Sequence, residues 1–365
     1  MIHADLFCRI IDNYGDIGVC WRLARQMAAE HGWAMRLWVD DLAVFARLEP
    51  RLDPGAARQA VGGIEVVHWT QPAPDLAPAD VVIEAFACDP PPAYVHRMQD
   101  SLRRPAWINL EYLSAEPWID NCHALPSPQP SGLVKYFFFP GFTEGSGGLI
   151  RERGLTAARD ALQAGPAARA AWLRETGIEP RDDRLVTLFC YPDASASVLA
   201  DVLAQDERPS TLAVAHGVAP YLRAGERGAL RIARLPFLSQ PGYDRLLWCA
   251  DLNFVRGEDS FVRAQWAARP MVWHIYPQAQ AAHIDKLHAW LAREPAPLAG
   301  RELNAAWNGE TGRDGLAQRL RAALAPAAWQ DWRRHARAWS DRLAAQDDLA
   351  ARLAAFCRTL RESRP

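Results

Sequence analysis

The chain of 365 residues carries 41 Lys plus Arg against 43 Asp plus Glu, a formal charge of -2. No field of one sign covers it, which excludes a nucleic acid or other polyanion held by bulk charge. Half of the residues are hydrophobic, a globular composition, and at about 150 residues per domain the length predicts two domains, each able to bury its own core.

Lys135 and Lys286 are the only lysines, so 39 basic residues are arginine, and there are 15 tryptophans. The arginine bias reads as composition, with Arg replacing Lys on the surface. The seven cysteines (Cys8, Cys20, Cys88, Cys122, Cys190, Cys249, Cys357) are widely spaced and form no CxxC pair. That pattern predicts reduced thiols in a cytoplasmic protein and argues against a disulfide framework or a zinc ribbon. The opening MIHADLFCRIIDNYGDIG meets Asp5 and Arg9 before any long apolar run, so neither a signal peptide nor a membrane span is expected.

In chain order, Ala4 to Ile11 reads as a strand, a Gly-containing turn follows, and Ile17 to His31 reads as an amphipathic helix. Met35 to Val39, Ile64 to Trp69, Val81 to Glu84, Ala106 to Tyr112 and Lys135 to Phe139 are further strands. Gly141 to Gly148 (GFTEGSGG) reads as a loop near the end of the first domain. After a helical Pro166 to Thr176, a second alternation runs through Leu185 to Cys190, Thr211 to Ala215, Leu230 to Leu235, Leu252 to Val255 and Met271 to Ile275. From Ile284 the pattern is helical, through Gly315 to Leu324 and Trp329 to Phe356. Apolar strands alternating with helices predict an α/β fold of two parallel sheets. Two such domains in tandem leave a cleft, and ligands of open α/β sheets bind at the carboxyl ends of the strands.

Three constellations could carry chemistry. The first is Asp12-Asn13-Tyr14-Gly15-Asp16-Ile17-Gly18, between a strand and a helix. Small residues such as Gly15 let a ligand approach the backbone, and the carboxylates of Asp12 and Asp16 together with Asn13 suit a general base that receives a proton from an incoming nucleophile, with plain helix capping by Asp16 as the alternative. The spacing is not that of a dinucleotide-binding GxGxxG. The second is Asp251 to Ser260 (DLNFVRGEDS), again strand, loop and helix. Arg256 suits a diphosphate clamp, with backbone donors from the helix start at Asp259 and Ser260, while Glu258 and Asp259 would accept from sugar hydroxyls. A salt-bridged, capped surface loop is the alternative. The third is aromatic: Tyr191, then Phe237 with Gln240, then Tyr276 with Gln278, each after a strand of the second alternation. Two rings can sandwich a planar base while Gln240 reads its edge; packing alone would also account for each ring. The ten histidines are scattered, and no HxxxH pair, DxD triplet or GxSxG elbow points to a metal or a serine hydrolase.

DNYGDIGVCWRLARQ at Asp12 to Gln26, DLNFVRGEDSFVRAQWA at Asp251 to Ala267 and the W-x-IYPQ segment at Trp273 to Gln278 together resemble the EarP family, the protein-arginine rhamnosyltransferases that modify elongation factor P. The resemblance spans essentially the whole chain. It implies a GT-B glycosyltransferase of two Rossmann-like domains facing a central cleft: 1–165 on the acceptor side, 166–340 binding the donor, and 341–365 packing back on the first domain. It implies dTDP-β-L-rhamnose as donor, one arginine of elongation factor P as acceptor, inversion at the anomeric carbon, and no metal or other cofactor. Modification would activate the factor for rescue of polyproline-stalled ribosomes. Carried over by position, Asp16 and Asp12 are the catalytic carboxylates, Arg256, Glu258, Asp259 and Ser260 the donor-binding run, and Tyr191, Phe237 and Gln240 the thymine pocket. No nucleic-acid or membrane partner is expected. The same architecture also serves nucleotide-sugar epimerases, and a non-catalytic nucleotide-sugar binding module would tolerate loss of both aspartates.

Overall fold

Strands whose residues are apolar on both faces need cover on both faces, and the computed structural model, which describes residues 1–11, 14–278 and 282–362, provides it in two units. The units are Met1–Arg153 with Gln346–Pro365, and Gly154–Ala345.

The first unit begins β1 (His3–Cys8), α1 (Gly15–His31), β2 (Ala34–Val39), α2 (Leu42–Leu48), β3 (Arg58–Val61) and β4 (Ile64–His68). It continues β5 (Val81–Ala85), α3 (Pro92–Asp100), β6 (Ala106–Leu110), α4 (Ile119–Cys122), β7 (Pro126–Pro128) and β8 (Val134–Phe138). The sheet order is β3-β4-β2-β1-β5-β6-β8-β7, parallel from β4 through β8. Numbered by their own sequence, the parallel strands run 3-2-1-4-5-6, the doubly wound order whose direction of winding reverses between β1 and β5. That reversal leaves a crevice at the carboxyl ends of β1 and β5, where the loop to Asp16 begins. One polar residue interrupts the apolar β1. Asp5 is fully buried and accepts from Arg36, from Trp38 Nε1 at 2.9 Å, from the Tyr94 hydroxyl and from the Ala79 N–H at 3.1 Å. A buried carboxylate is tolerated when it is satisfied to this degree.

In the second unit α5 (Leu155–Ala164) and α6 (Pro166–Glu175) precede β9 (Arg184–Leu188), α7 (Ala196–Ala204), β10 (Ser210–Val214), β11 (Gly225–Arg227) and β12 (Leu230–Arg234). Then come α8 (Gln240–Cys249), β13 (Leu252–Arg256), α9 (Glu258–Trp266), β14 (Met271–His274), α10 (Ala282–Arg293), α11 (Leu298–Ala305), α12 (Arg313–Leu324) and α13 (Pro326–Ala344). The sheet order is β11-β12-β10-β9-β13-β14, with only the β11–β12 pair antiparallel. The winding reverses here between β9 and β13, the strands that precede Tyr191 and carry Arg256. Although it precedes residue 165, α5 packs in this unit against α8, and its Arg159 is buried with Nη1 donating to the Trp266 carbonyl at 2.9 Å and to Ser340 Oγ at 2.8 Å.

Among the described residues no further strand lies beside the edge strand β14, and two asparagines act in place of one. Asn304 Oδ1 accepts from the Trp273 N–H at 2.9 Å, and its amide donates to the Met271 carbonyl at 3.2 Å. Asn308 accepts from the Ile275 N–H at 3.1 Å and donates to the Trp273 carbonyl at 2.7 Å. Asn304→Ala would strand buried groups of β14, and a loss of about 3 kcal/mol in unfolding free energy is expected, measured by urea titration. Wild-type stability would show that these bonds are dispensable.

The helical run from Trp329 to Phe356 proves to be two helices. Between α13 and α14 (Leu349–Glu362) the chain breaks, and Asp348 Oδ1 accepts from the Ala351 N–H at 3.1 Å, capping the new helix. The same oxygen accepts from Gln26 Nε2 at 3.1 Å, tying this cap to α1, and α14 packs on α1 and β6 of the first unit.

Candidate active site

Asp16 is the second residue of α1 and is 3% exposed. The helix is capped by Tyr14 without a side-chain cap bond. The carboxylate of Asp16 reaches back instead, Oδ2 accepting from the Ile11 N–H at 2.8 Å and Oδ1 from the Tyr112 hydroxyl at 3.3 Å. Asp16 therefore closes the loop after β1 onto the helix, and it lies at the helix end where negative charge is favoured. Gly15 is the first residue of α1, and the Tyr14 hydroxyl accepts from Arg47 Nη1 at 3.1 Å. Asp12 and Asn13 lie outside the described residues.

In the second unit the candidates gather on loops at the carboxyl edge of the sheet, because β12, β10, β9, β13 and β14 are all parallel. Arg256 ends β13, and its guanidinium carbon lies 4.5 Å from the ring centroids of both Phe189 and Tyr191. Two such contacts hold a planar cation in a fixed orientation. Gly257 follows at φ +65 and ψ -172, a conformation open essentially to glycine alone, and turns the strand directly into α9. Its carbonyl accepts from Trp273 Nε1 at 3.2 Å, and Trp273 in turn stacks on Phe261 at 3.9 Å. Glu258, Asp259 and the buried Ser260 form the first turn of α9.

Tyr191 is buried, with its ring edge-on to Tyr276 and to His274, both at 5.3 Å. Tyr276 is 55% exposed, and the Gln278 N–H donates to His283 Nδ1 at 3.2 Å. Phe237, half exposed after β12, meets His216 edge-on at 6.3 Å. Gln240 is buried at the start of α8, behind the Ser239 cap. The structure thus joins Tyr191, Arg256 and Tyr276 through ring contacts, and sets Phe237 and Gln240 together at the turn into α8.

A model of the family described as Elongation-Factor P (EF-P) rhamnosyltransferase EarP matches residues 4–358. The protein-arginine rhamnosyltransferase of Pseudomonas aeruginosa is 50% identical over 372 residues, covering 96% of this chain and 98% of that one. That of Neisseria meningitidis serogroup B is 37% identical, covering 96% of each. The chain belongs to the EarP family of protein-arginine rhamnosyltransferases. A solved structure addressing EarP-mediated arginine glycosylation of translation elongation factor EF-P matches with a TM-score of 0.68 at 37% identity, over 98% of this chain and 99% of that one. MurG of Acinetobacter baumannii, at a TM-score of 0.53 and 12% identity over 98% of this chain and all of that one, shares the fold alone, which is the GT-B architecture. Membership in the EarP family places the chain among the transferases, and so decides against the epimerase and the non-catalytic binder.

Sequence reasoning passed over Phe189, Tyr112 and His274 of this EarP chain. His274 is the unspecified position of W-x-IYPQ, a lone histidine ending a strand, and only its place beside Tyr191 marks it out. Its Nδ1 accepts from the Tyr191 N–H at 3.2 Å, and burial, with the Arg256 charge adding to it, pushes its pKa down to about 4. His123 of the first unit is alike: Nδ1 accepts from the Phe139 N–H at 3.1 Å, and burial, with Arg352 adding to it, pushes it to about 4. Both rings are therefore neutral when folded, while in the unfolded chain they take up protons near the ordinary value of 6.5. The stability these two rings contribute is full above about pH 6.5 and is lost as pH falls toward about 4. A His123→Gln/His274→Gln variant should show a shallower loss in urea titrations between about pH 7 and about pH 4.5; an unchanged slope would contradict this. Among the described residues no His, Cys, Asp or Glu cluster is arranged to hold a metal ion, and no helix is long and apolar enough to cross a membrane.

Proposed function

We propose that the enzyme transfers L-rhamnose from dTDP-β-L-rhamnose to one arginine of elongation factor P, with inversion, the acceptor arginine taken by the first unit and the donor by the second. The modification would fit the factor for rescue of polyproline-stalled ribosomes. The observation that carries this reading is the pairing of functions at the two winding reversals: a buried, anchored carboxylate after β1, and a ring-clamped arginine at the end of β13.

Arginine is a weak nucleophile because its guanidinium stays charged. Reference carboxylate and guanidinium pKa values differ by about 8 units, roughly 11 kcal/mol, so deprotonation ahead of attack is too costly. Asp16, with Asp12 of the same loop, instead grips and orients the guanidinium. One nitrogen attacks the anomeric carbon, the bond from that carbon to the diphosphate oxygen breaks, and dTDP departs with the electron pair. The nitrogen's proton passes to Asp16 as the new bond forms. Arg256 and the N–H groups opening α9 meet the charge that develops on the diphosphate, with Ser260 beside them. Glu258 and Asp259 accept from sugar hydroxyls, and Tyr191, Phe237, Gln240 and Tyr276 receive the thymine, with Gln278 close in sequence.

Direct displacement from a β-linked donor must give an α-linked product. NMR of the rhamnosylated arginine should show the α anomer, and a β anomer would rule out a single displacement governed by Asp16.

A further inference from the structure

The loop after β5 holds three residues in a strained backbone conformation. Phe86, Ala87 and Asp89 have φ of 58, 52 and 48, the left-handed region in which a β-carbon is penalised, and none of the three is glycine. Ala87 and Asp89 are exposed, while Cys88 between them is buried in the core with its Sγ donating to the Phe7 carbonyl at 3.4 Å. The loop is also pinned. The Phe86 N–H donates to the Leu110 carbonyl at 2.7 Å, and the Ala87 N–H to Asn109 Oδ1 at 3.1 Å. Asn109, buried in β6, is itself held by donating to Glu111 Oε1 at 2.6 Å. Strain maintained in this way concentrates at functional positions.

Besides seating Cys88 in the core, the turn sets the direction of one ring. Phe86 lies parallel to Tyr112, centroids 4.2 Å apart at 13°. Tyr112 follows β6 and is 40% exposed, and its hydroxyl stands 3.3 Å from Asp16 Oδ1. Its donation is complementary to that of the Ile11 N–H, which holds the other carboxylate oxygen at 2.8 Å. A carboxylate gripped at both oxygens cannot rotate away from a planar guanidinium, and orientation of this kind governs the rate of an attack that is weak to begin with.

We infer that Tyr112 is a positioning residue for Asp16, aimed by the left-handed Phe86–Ala87 turn and the Asn109 clamp beneath it. This rests on the reading of Asp16 as the catalytic carboxylate. Tyr112 acts through Asp16, so it governs turnover and leaves nucleotide binding alone.

Tyr112→Phe removes only the hydroxyl and keeps the stack on Phe86. With elongation factor P and dTDP-rhamnose as substrates, kcat should fall about tenfold to a hundredfold, the range set by loss of a hydrogen bond to a charged group. The KM for the acceptor, the affinity for dTDP and the melting temperature should stay within about twofold or unchanged, since a stability role would move the last and a binding role the first. Wild-type kcat in Tyr112→Phe, or a raised acceptor KM at constant kcat, overturns the inference. Asp16→Asn assayed in parallel separates the two readings. If Asp16→Asn is inactive while Tyr112→Phe is fully active, the positioning role alone fails; if Asp16→Asn is active, the assignment of Asp16 fails and the role of Tyr112 falls with it.

Discussion

Asp16→Ala is expected to abolish rhamnosyl transfer while leaving dTDP affinity within about twofold of wild type. The carboxylate is asked both to hold the guanidinium and to receive its proton, and loss of such a group costs on the order of a thousandfold or more in kcat. The residues proposed to bind the donor lie in the other unit, so calorimetric titration with dTDP should be almost unaffected. Alanine would also deprive the Ile11 N–H of its 2.8 Å acceptor. Asp16→Asn is the cleaner companion: it keeps an oxygen for that N–H and much of the shape, and lacks only the charge and the basicity. Both variants should be inactive, with Asn folding like the wild type. Transfer at near wild-type rate in either would end the assignment.

Arg256→Ala should have the opposite profile, weakening dTDP itself as well as the intact donor. A charge-assisted bond to phosphate is worth about 1.5 to 3 kcal/mol, so the dissociation constant for dTDP should rise roughly tenfold to a hundredfold. The rings of Phe189 and Tyr191, each 4.5 Å from the guanidinium carbon, would lose the cation between them. Arg256→Lys should recover only part of the affinity, because an ammonium cannot reproduce a planar group stacked on those rings. Unchanged dTDP affinity in Arg256→Ala would place this arginine outside the phosphate site.

Much of the fold was readable because the central strands are apolar on both faces: β5, β6, β9 and β10 are buried at every position. The edge strands β3, β7 and β11 were not read, and their patterns of mostly exposed side chains carry no apolar period to reveal them. The hairpin into β4 did carry a signal, since Gly62 and Gly63 both have positive φ, as a two-residue turn demands. The break before α14 was hidden by continuous helical spacing, and the Asp348 cap that causes it looks like any other acidic residue. The tryptophan excess proves to be mainly core: all but Trp118 and Trp273 are buried.

The candidate loops were legible because polar, glycine-containing segments at strand-to-helix junctions are conspicuous beside apolar strands. Their partners were not. Tyr112 lies 96 residues from Asp16, and the proximity of Phe189 and His274 to Arg256 exists only once β9, β13 and β14 are paired. The alternative of plain capping by Asp16 could be weighed only on the geometry, in which the side chain turns to Ile11 and Tyr112 and the cap position belongs to Tyr14.

The central claim is tested most directly by the mass of elongation factor P after incubation with this protein and dTDP-β-L-rhamnose. The expected result is a gain of one deoxyhexose, localised by fragmentation to a single arginine. An unchanged mass, or a sugar on any other type of side chain, would contradict it.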